Sequence, residues 1–477
     1  MRKYISYYWD RFTNSTLCEL VSLFGDKIVS PEIAIEYRDR IFTPWRTFWL
    51  FLGQILSANR SCREALKKAQ MWLSLLEPDK KKISSNTTGY CKARQRLNSD
   101  YLDDMERQVR NQQGGQISDK YLWHGRPVKV VDGTSVSMPD TKENQELYPQ
   151  PESQKKGCGF PVMRIVISFC LTTGVILSCR KGNLNLHERR LWHEMWNDYQ
   201  SGDVILADCG FCSFADYALL SQKGIDCVMR LHQARKEKEI IKRFNKNDYL
   251  VQWDKGQKPP NWITPEEWQK LPNQMLVRHV RVHVDIPGFR TKNLIVATTL
   301  VDAKKYPTED IAELYRRRWV AEIFIRDIKI TMGMDILRCK TPQMVHKELT
   351  LFIIAYNLIR GLIWEAALEK DVDPYRISLA GSIVTIRQWV VMLAILEMHG
   401  IQENIEISET ITFLIQRMLA FIAADLLPKR SEIKVEPRAL KRRPKNYQLM
   451  TKPRREFKEI PHRHKYRANK TQNNDRV

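Results

Sequence analysis

Acidic residues and long apolar runs are what this 477-residue chain has least of: 55 Asp and Glu stand against 77 Lys and Arg, a formal net charge of +22. The longest apolar stretches, Trp45 to Leu56 and Leu349 to Trp364, are short or interrupted by Arg46, Gln54, Asn357 and Arg360. They read as buried helices and not as membrane spans. The opening MRKYISYYWDRF has no apolar h-region, so no secretory signal is expected. The ten cysteines (18, 62, 91, 158, 170, 179, 209, 212, 227 and 339) do not have the spacing of a disulfide framework, which points to a reducing cytosol. No P-loop pattern occurs, and no ATP requirement is expected.

The basic excess is uneven. Residues 428–477 hold 17 Lys and Arg against 5 Asp and Glu, a net of +12 and over half of the whole imbalance. Such a tail seeks nucleic acid or an anionic membrane, and the lack of a spanning segment leaves nucleic acid. The length allows two or three domains.

Along the chain, residues 1–120 read as all-helical, from apolar residues at helical spacing in PWRTFWLFLGQILSA and REALKKAQMWLSLL. A DNA-binding module and a plain helical scaffold fit that stretch equally. Strands then follow: Val128 to Val136, and the pair VMRIVISFCL and GVILSC joined by Thr172-Thr173-Gly174. The polar stretch KENQELYPQPESQKKGCGF before that pair is expected to be irregular. A helix from His187 to Tyr199 precedes a buried strand, DVILA, that delivers Asp208. Ser213 opens a helix to Lys223, and Ile225 to Leu231 is a further strand.

The expected fold class is α/β, a mixed sheet flanked by helices. Its core occupies 121–231 and 306–366, split by a β-rich insertion at 232–305. C-terminal helices at 367–427 and the basic tail complete the chain.

One stretch carries the chemistry. Thr308 to Gly333 reads as a single helix, capped by Thr308, with Glu309 and Asp310 in its first turn and Gly333 as its stop. Tyr315, Arg318, Glu322 and Lys329 follow at i, i+3, i+7 and i+14. At about 100° per residue they form one narrow stripe roughly 20 Å long. An acid flanked by a phenol, a guanidinium and an ammonium suits a polyanion lying across a metal-binding carboxylate. Taken alone, Arg318 and Glu322 are also an ordinary i,i+4 surface pair. Asp132-Gly133 alone is a common turn, and Asp208 alone a common cap. Together the three acids lie at two strand ends and on one packed helix. That arrangement gathers hard oxygen ligands for Mg²⁺ or Mn²⁺ at one sheet edge, where two ions would serve phosphodiester chemistry.

Asp132-Gly133-Thr134, the LADCGF around Asp208 and the Tyr315-x2-Arg318-x3-Glu322-x6-Lys329 run resemble the DDE transposases of bacterial insertion sequences, of the "insertion sequence four" family. The resemblance extends from about Trp45 to PRALKRRPKNYQLMTKPRRE. It implies an RNase H-like core with Asp132, Asp208 and Glu322 as catalytic metal ligands, and Tyr315, Arg318 and Lys329 as contacts to transposon-end DNA. It also implies cut-and-paste transposition between terminal inverted repeats and target DNA, a homodimer on DNA, and a nucleoid-associated protein of the bacterial cytoplasm. A metal-dependent nuclease without strand transfer and a catalytically silent DNA-binding protein are the alternatives. Cys209 departs from the Arg that many relatives carry there.

Other motifs are weaker. Cys209 and Cys212 have zinc-pair spacing but no second pair. His232 and Arg235 match an HxxR pattern with no suitably spaced Tyr. His462 and His464 lie in the basic tail. His187 and Glu188 open a helix near the sheet as caps or as supports for the acids.

Overall fold

The computed structural model describes residues 18–29, 41–76, 83–114, 117–233, 235, 240–283, 293–403, 406–428, 453 and 456. The N-terminal dodecapeptide, nearly all of the basic tail, His462 and His464 lie outside them.

Among the described residues, a single helical turn (Val21–Phe24) precedes α1 (Pro44–Leu56), α2 (Cys62–Leu76), α3 (Thr88–Arg96) and α4 (Ser99–Gly114). Pro44 at the first turn and the Thr43 side chain, which accepts from Arg46 N, start α1. Strands β1 (Val128–Ser137), β2 (Val162–Cys170) and β3 (Ile176–Asn183) form an antiparallel meander. The helix α5 (Glu188–His193) then leads to β4 (Val204–Ala207), α6 (Phe214–Gln222) and β5 (Asp226–Arg230). β4 pairs parallel to β1, and β5 parallel to β4. Three antiparallel strands followed by two parallel ones, in the order β3-β2-β1-β4-β5, make an RNase H-like sheet.

Strands β6 (Ile240–Asn245), β7 (Asp248–Asp254), β8 (Gln274–His283) and β9 (Asn293–Thr298) continue this sheet. β9 pairs antiparallel with β5, giving nine strands ordered 3-2-1-4-5-9-8-7-6. A buried ion pair holds the extension. Arg278, fully buried, donates from Nε and Nη2 to Asp248 at 2.8 and 2.5 Å, and from Nη1 to the carbonyls of Leu300 and Tyr306. Asp248 also accepts from Thr308 Oγ1 at 2.6 Å, so the extension is tied to the start of the next helix.

That next segment is not one helix. It divides into α7 (Thr308–Arg317), α8 (Val320–Arg326) and a π turn over Asp327–Thr331. Between α7 and α8 the amides of Arg318 and Trp319 bond three residues back, to Tyr315 and Arg316, which overwinds the chain. In the π turn Met332 N reaches five residues back to Asp327 O, which underwinds it. Pro307, not Thr308, occupies the cap position, because the Thr308 hydroxyl is taken by Asp248.

Two other expectations change. Lys142–Leu147 is a short helix inside the polar stretch, since the Thr141 side chain accepts from Asn144 N. The helix expected over 187–199 ends at His193, with a separate 3-10 turn at Trp196–Asp198.

The long helix α9 (Pro342–Lys370) runs through the core on one side of the sheet, followed by α10 (Leu379–Glu403) and α11 (Ser408–Ala424). Leading and trailing helices share one apolar cluster with it. Asn357 brackets Ile176 with hydrogen bonds to its N–H and C=O, and Arg360 donates twice to Thr173 O. Gly174 (φ +77°) turns the β2–β3 hairpin there, where a Cβ would sit 2.6 Å from the Arg360 guanidinium. By length and hydropathy α9 and α10 are apolar enough to cross a membrane. The apolar window of α9 is 83% buried inside the protein and that of α10 39%. The apolar stretch at α10 went unremarked in the sequence.

Candidate active site

β1 and β4 position the two aspartates. Val128 lies beside Val204, Lys129 beside Ile205 and Val130 beside Leu206. Carried two residues further, this register sets Asp132 beside Asp208, on neighbouring backbones ~4.8 Å apart. Alternation fixes the face. Val128, Val130, Val204 and Leu206 enter the helix-side core, and the two acids share their parity. Val131, Ile205 and Ala207 face the opposite cluster, under Trp192 and Phe211. Tyr315, Ala321 and Phe324 pack in the helix-side core, so α7 and α8 cover the face to which both aspartates point.

Each aspartate is held by its own turn. Asp132 Oδ1 accepts from Gly133 N at 2.8 Å, and Asp208 Oδ1 from Gly210 N at 2.7 Å. Glu322 enters from α8, and Arg318 joins it to the strand. The guanidinium donates from Nη2 to Glu322 Oε1 at 3.1 Å, and its Nη1 lies 3.7 Å from Asp132 Oδ2.

Charge follows geometry. Burial pushes the Asp132 carboxyl up to about 6, and the nearby Asp208 and Glu322 push the same way, against Arg318 and the Gly133 N–H. Burial opposes the charge on Arg318, but Tyr315, Asp132 and Glu322 outweigh it and hold the guanidinium firmly protonated. The Tyr315 phenol is raised by burial and stays neutral.

Lys329 Nζ donates to Thr134 Oγ1 at 2.9 Å, which puts the ammonium two residues along β1 from Asp132. Burial lowers its pKa, with Asp335 opposing. Arg318 and Lys329 therefore reach the same strand end as the acids. Tyr315 is only 5% exposed, and in this form its ring belongs to the core beneath the site.

Several supporting residues escaped the sequence reading. Thr134 was findable, because it shares the parity of Asp132. Arg189 donates from Nη2 to Gly210 O at 2.7 Å, bringing a guanidinium beside Cys209. Behind it the buried Asp216 accepts from His193 Nε2 (2.8 Å) and Ser213 Oγ (2.6 Å). Nothing in the local sequence announces that trio. Glu188 lies against Gly133, where a Cβ would meet its carboxylate at 2.6 Å, and His187 caps α5 by accepting from Arg189 N. Cys212 is buried with its Sγ 3.8 Å from Tyr217 Oη, and Arg235 stacks 3.8 Å over the Trp253 ring.

Among the described residues no three His, Cys, Asp or Glu side chains form a ready-made ion cage. The donor set nonetheless fits a hard divalent cation. Burial and the neighbouring Asp208 and Glu322 raise the proton affinity of Asp132, and the cation now between Asp132 and Glu322 is a guanidinium. Turning Arg318 aside leaves oxygen ligands only.

An RNase H-like sheet with carboxylates on adjacent strand ends and on a covering helix is the framework of enzymes that transfer polynucleotides. A family model described as a transposase DDE domain matches residues 123–358. The transposase InsG for insertion sequence element IS4 of Escherichia coli (strain K12) is 26% identical over 330 residues, 68% of this chain and 70% of that protein. Among solved structures, the piggyBac transposase synaptic complex with hairpin DNA aligns with a TM-score of 0.42 and 9% identity, covering 90% of this chain and 86% of that one. Residues 123–358 thus carry a transposase DDE domain, and over 68% of its length the chain is similar to a transposase of the insertion-sequence-four type. Members of this class use divalent metal ions.

Proposed function

We propose that this transposase moves its own element by cut and paste. It binds the terminal inverted repeats, hydrolyses a phosphodiester to free a 3′-hydroxyl, and joins that end to target DNA. Asp132, Asp208 and Glu322 are the catalytic carboxylates and would hold Mg²⁺ (or Mn²⁺), two ions in all. When bound, the ions would activate the attacking oxygen and stabilise the leaving one. Arg318 and Lys329 hold the phosphate chain at the cut. Tyr315 completes the end-DNA contact when the turn after it opens, and until then backs Arg318.

The observation that carries this reading is the single guanidinium of Arg318 spanning Asp132 and Glu322 on the face where register sets Asp208. A cation already at home among three acids marks where metal and phosphate exchange for it.

Synapsis of two ends calls for a homodimer on DNA. The C-terminal helices offer it an apolar surface of Val384, Met392, Ile395, Phe413 and Phe421, all exposed. The protein works without ATP, in the cytoplasm at the nucleoid.

The test uses linear DNA carrying the element's end, with Mg²⁺, and compares wild type with Glu322→Ala. Strand-transfer products lost in the variant, with end binding retained, are the expected result. Cleavage without joining would make the chain a nuclease, and binding without any cleavage a silent DNA binder.

A further inference from the structure

Three cysteines far apart in sequence meet around one buried arginine. Arg94, on α3, is 7% exposed and stacks 4.0 Å over the Phe51 ring. Its Nη1 donates to Cys62 Sγ at 3.0 Å and to Gln54 Oε1 at 3.2 Å, while Nη2 donates to Cys339 Sγ at 3.1 Å. Among the described residues no carboxylate bonds this guanidinium, and its Nε lacks a hydrogen-bond partner. The guanidinium thus holds the sulfurs of Cys62 and Cys339 as hydrogen-bond acceptors beside a buried positive charge.

Cys91, one turn before Arg94 on the same helix, places its Sγ 3.9 Å from that of Cys62. Both cysteines are partly exposed, whereas Cys339 is buried. Disulfide sulfurs lie about 2.05 Å apart, so the pair has roughly 2 Å to close. A soft metal ion is a poor occupant, because the guanidinium already stands between Cys62 and Cys339 and repels a second cation.

We propose that Cys62 and Cys91 form an oxidant-sensitive dithiol, with Cys62 the reacting thiol and Cys91 the resolving one. A peroxide is the oxidant. The Cys62 sulfur attacks one peroxide oxygen, the O–O bond breaks, and the departing oxygen leaves as water with the Cys62 proton, giving a Cys62 sulfenic acid. Cys91 sulfur then attacks Cys62 sulfur. The S–S bond forms as the S–O bond breaks, and the hydroxide leaves as a second water with the Cys91 proton. Two thiols and one peroxide become a disulfide and two waters. In a reducing cytosol such a bond is transient, as suits a sensor and not a staple.

The bond would clamp the start of α2 to α3. It would also take from Arg94 a sulfur that tethers it, leaving the link to Cys339 in the catalytic half of the chain. That link is one of several between the leading helices and the catalytic half, beside those of Arg60 to Gly333 O and Lys347 to Gln95 O.

The test treats the full-length reduced protein with substoichiometric hydrogen peroxide and maps peptides by mass spectrometry without reduction. The expected result is a Cys62–Cys91 linked pair, 2 Da lighter than the two thiols, that forms before any other cysteine is modified and reverts with dithiothreitol. In Cys91→Ser the same treatment should leave Cys62 as a sulfenic acid trapped by dimedone. In Arg94→Gln oxidation of Cys62 should slow at least several-fold, with the rate at Cys158 unchanged. Random modification, first linkage elsewhere, or Cys62 reacting no faster than Cys158 in the wild type would overturn the proposal.

Discussion

Asp132 sits where burial, a neighbouring cation and two further carboxylates pull in different directions. With its pKa raised to about 6, the native protein binds a proton there more readily than the unfolded chain does. The sign follows: this residue costs stability above its folded pKa, and the cost disappears as pH falls from about 6 towards about 4. Asp132→Asn should therefore stabilise the metal-free protein at pH 7 by about 1–3 kcal/mol. It should also flatten the pH dependence of chemical denaturation between pH 7 and pH 4. The same substitution removes a proposed metal ligand, so DNA cleavage should vanish while stability rises. A variant less stable than wild type at pH 7 would contradict this account. At the residue scale much was legible. Strand alternation puts Asp132 and Thr134 on one face, and Arg318 and Glu322 as an i,i+4 pair follow from spacing; that Asp208 shares the face follows only from the β1–β4 register. The cradle of Arg189, His193 and Asp216 was not legible, because its members meet only after α5 and α6 pack.

Among the elements, the segment from α7 to the π turn departs most from its sequence pattern. Even winding at 100° per residue predicts one stripe, whereas the protein overwinds at Arg318 and underwinds at Asp327. Only tertiary constraint explains both. The Asp248–Arg278 pair grips the start of α7 through Thr308, and Arg60 donates to Gly333 O at the other end. No local propensity in TEDIAELYRRRWVAEIFIRDIKITMG marks either irregularity. Asp248→Ala leaves the Arg278 guanidinium buried without its acid and should cost about 3–5 kcal/mol in urea unfolding. It should also free the Thr308 end of α7. Loss of less than ~1 kcal/mol would mean that water reaches Arg278 and the pair holds little.

For the molecule as a whole, the alternation of strands and helices announced the RNase H-like half of the sheet. It did not reveal that residues 240–298 extend that same sheet. Edge pairing between β5 and β9 depends on which strand edges are left open, and no residue pattern records that. The apolar character of α10 was overlooked for a related reason. The helix carries only Arg387 and Glu397 as charges within 379–400, a composition shared by core and surface-docking helices alike. Charge distribution is more direct. Removing residues 429–477 takes away most of the net positive charge and should weaken binding to any DNA sequence alike. Each phosphate contact so lost should reduce the slope of log K against log salt by about 0.9. A filter-binding salt titration reads this directly, and an unchanged slope would remove the tail from the DNA interface.

The π turn has one last consequence. A helix that spends five residues where the regular ladder spends four carries a surplus residue, and a surplus can be withdrawn without unravelling what lies on either side. Deleting Ile330, which is 57% exposed, should let the turn tighten while Met332 and Met334 keep their places in the core. Lys329 would swing away from Thr134 by a fraction of a revolution. Such a shortened protein should remain folded by circular dichroism and, on the role proposed for Lys329, hold its DNA end loosely: one amino acid of slack sets where the ammonium lies.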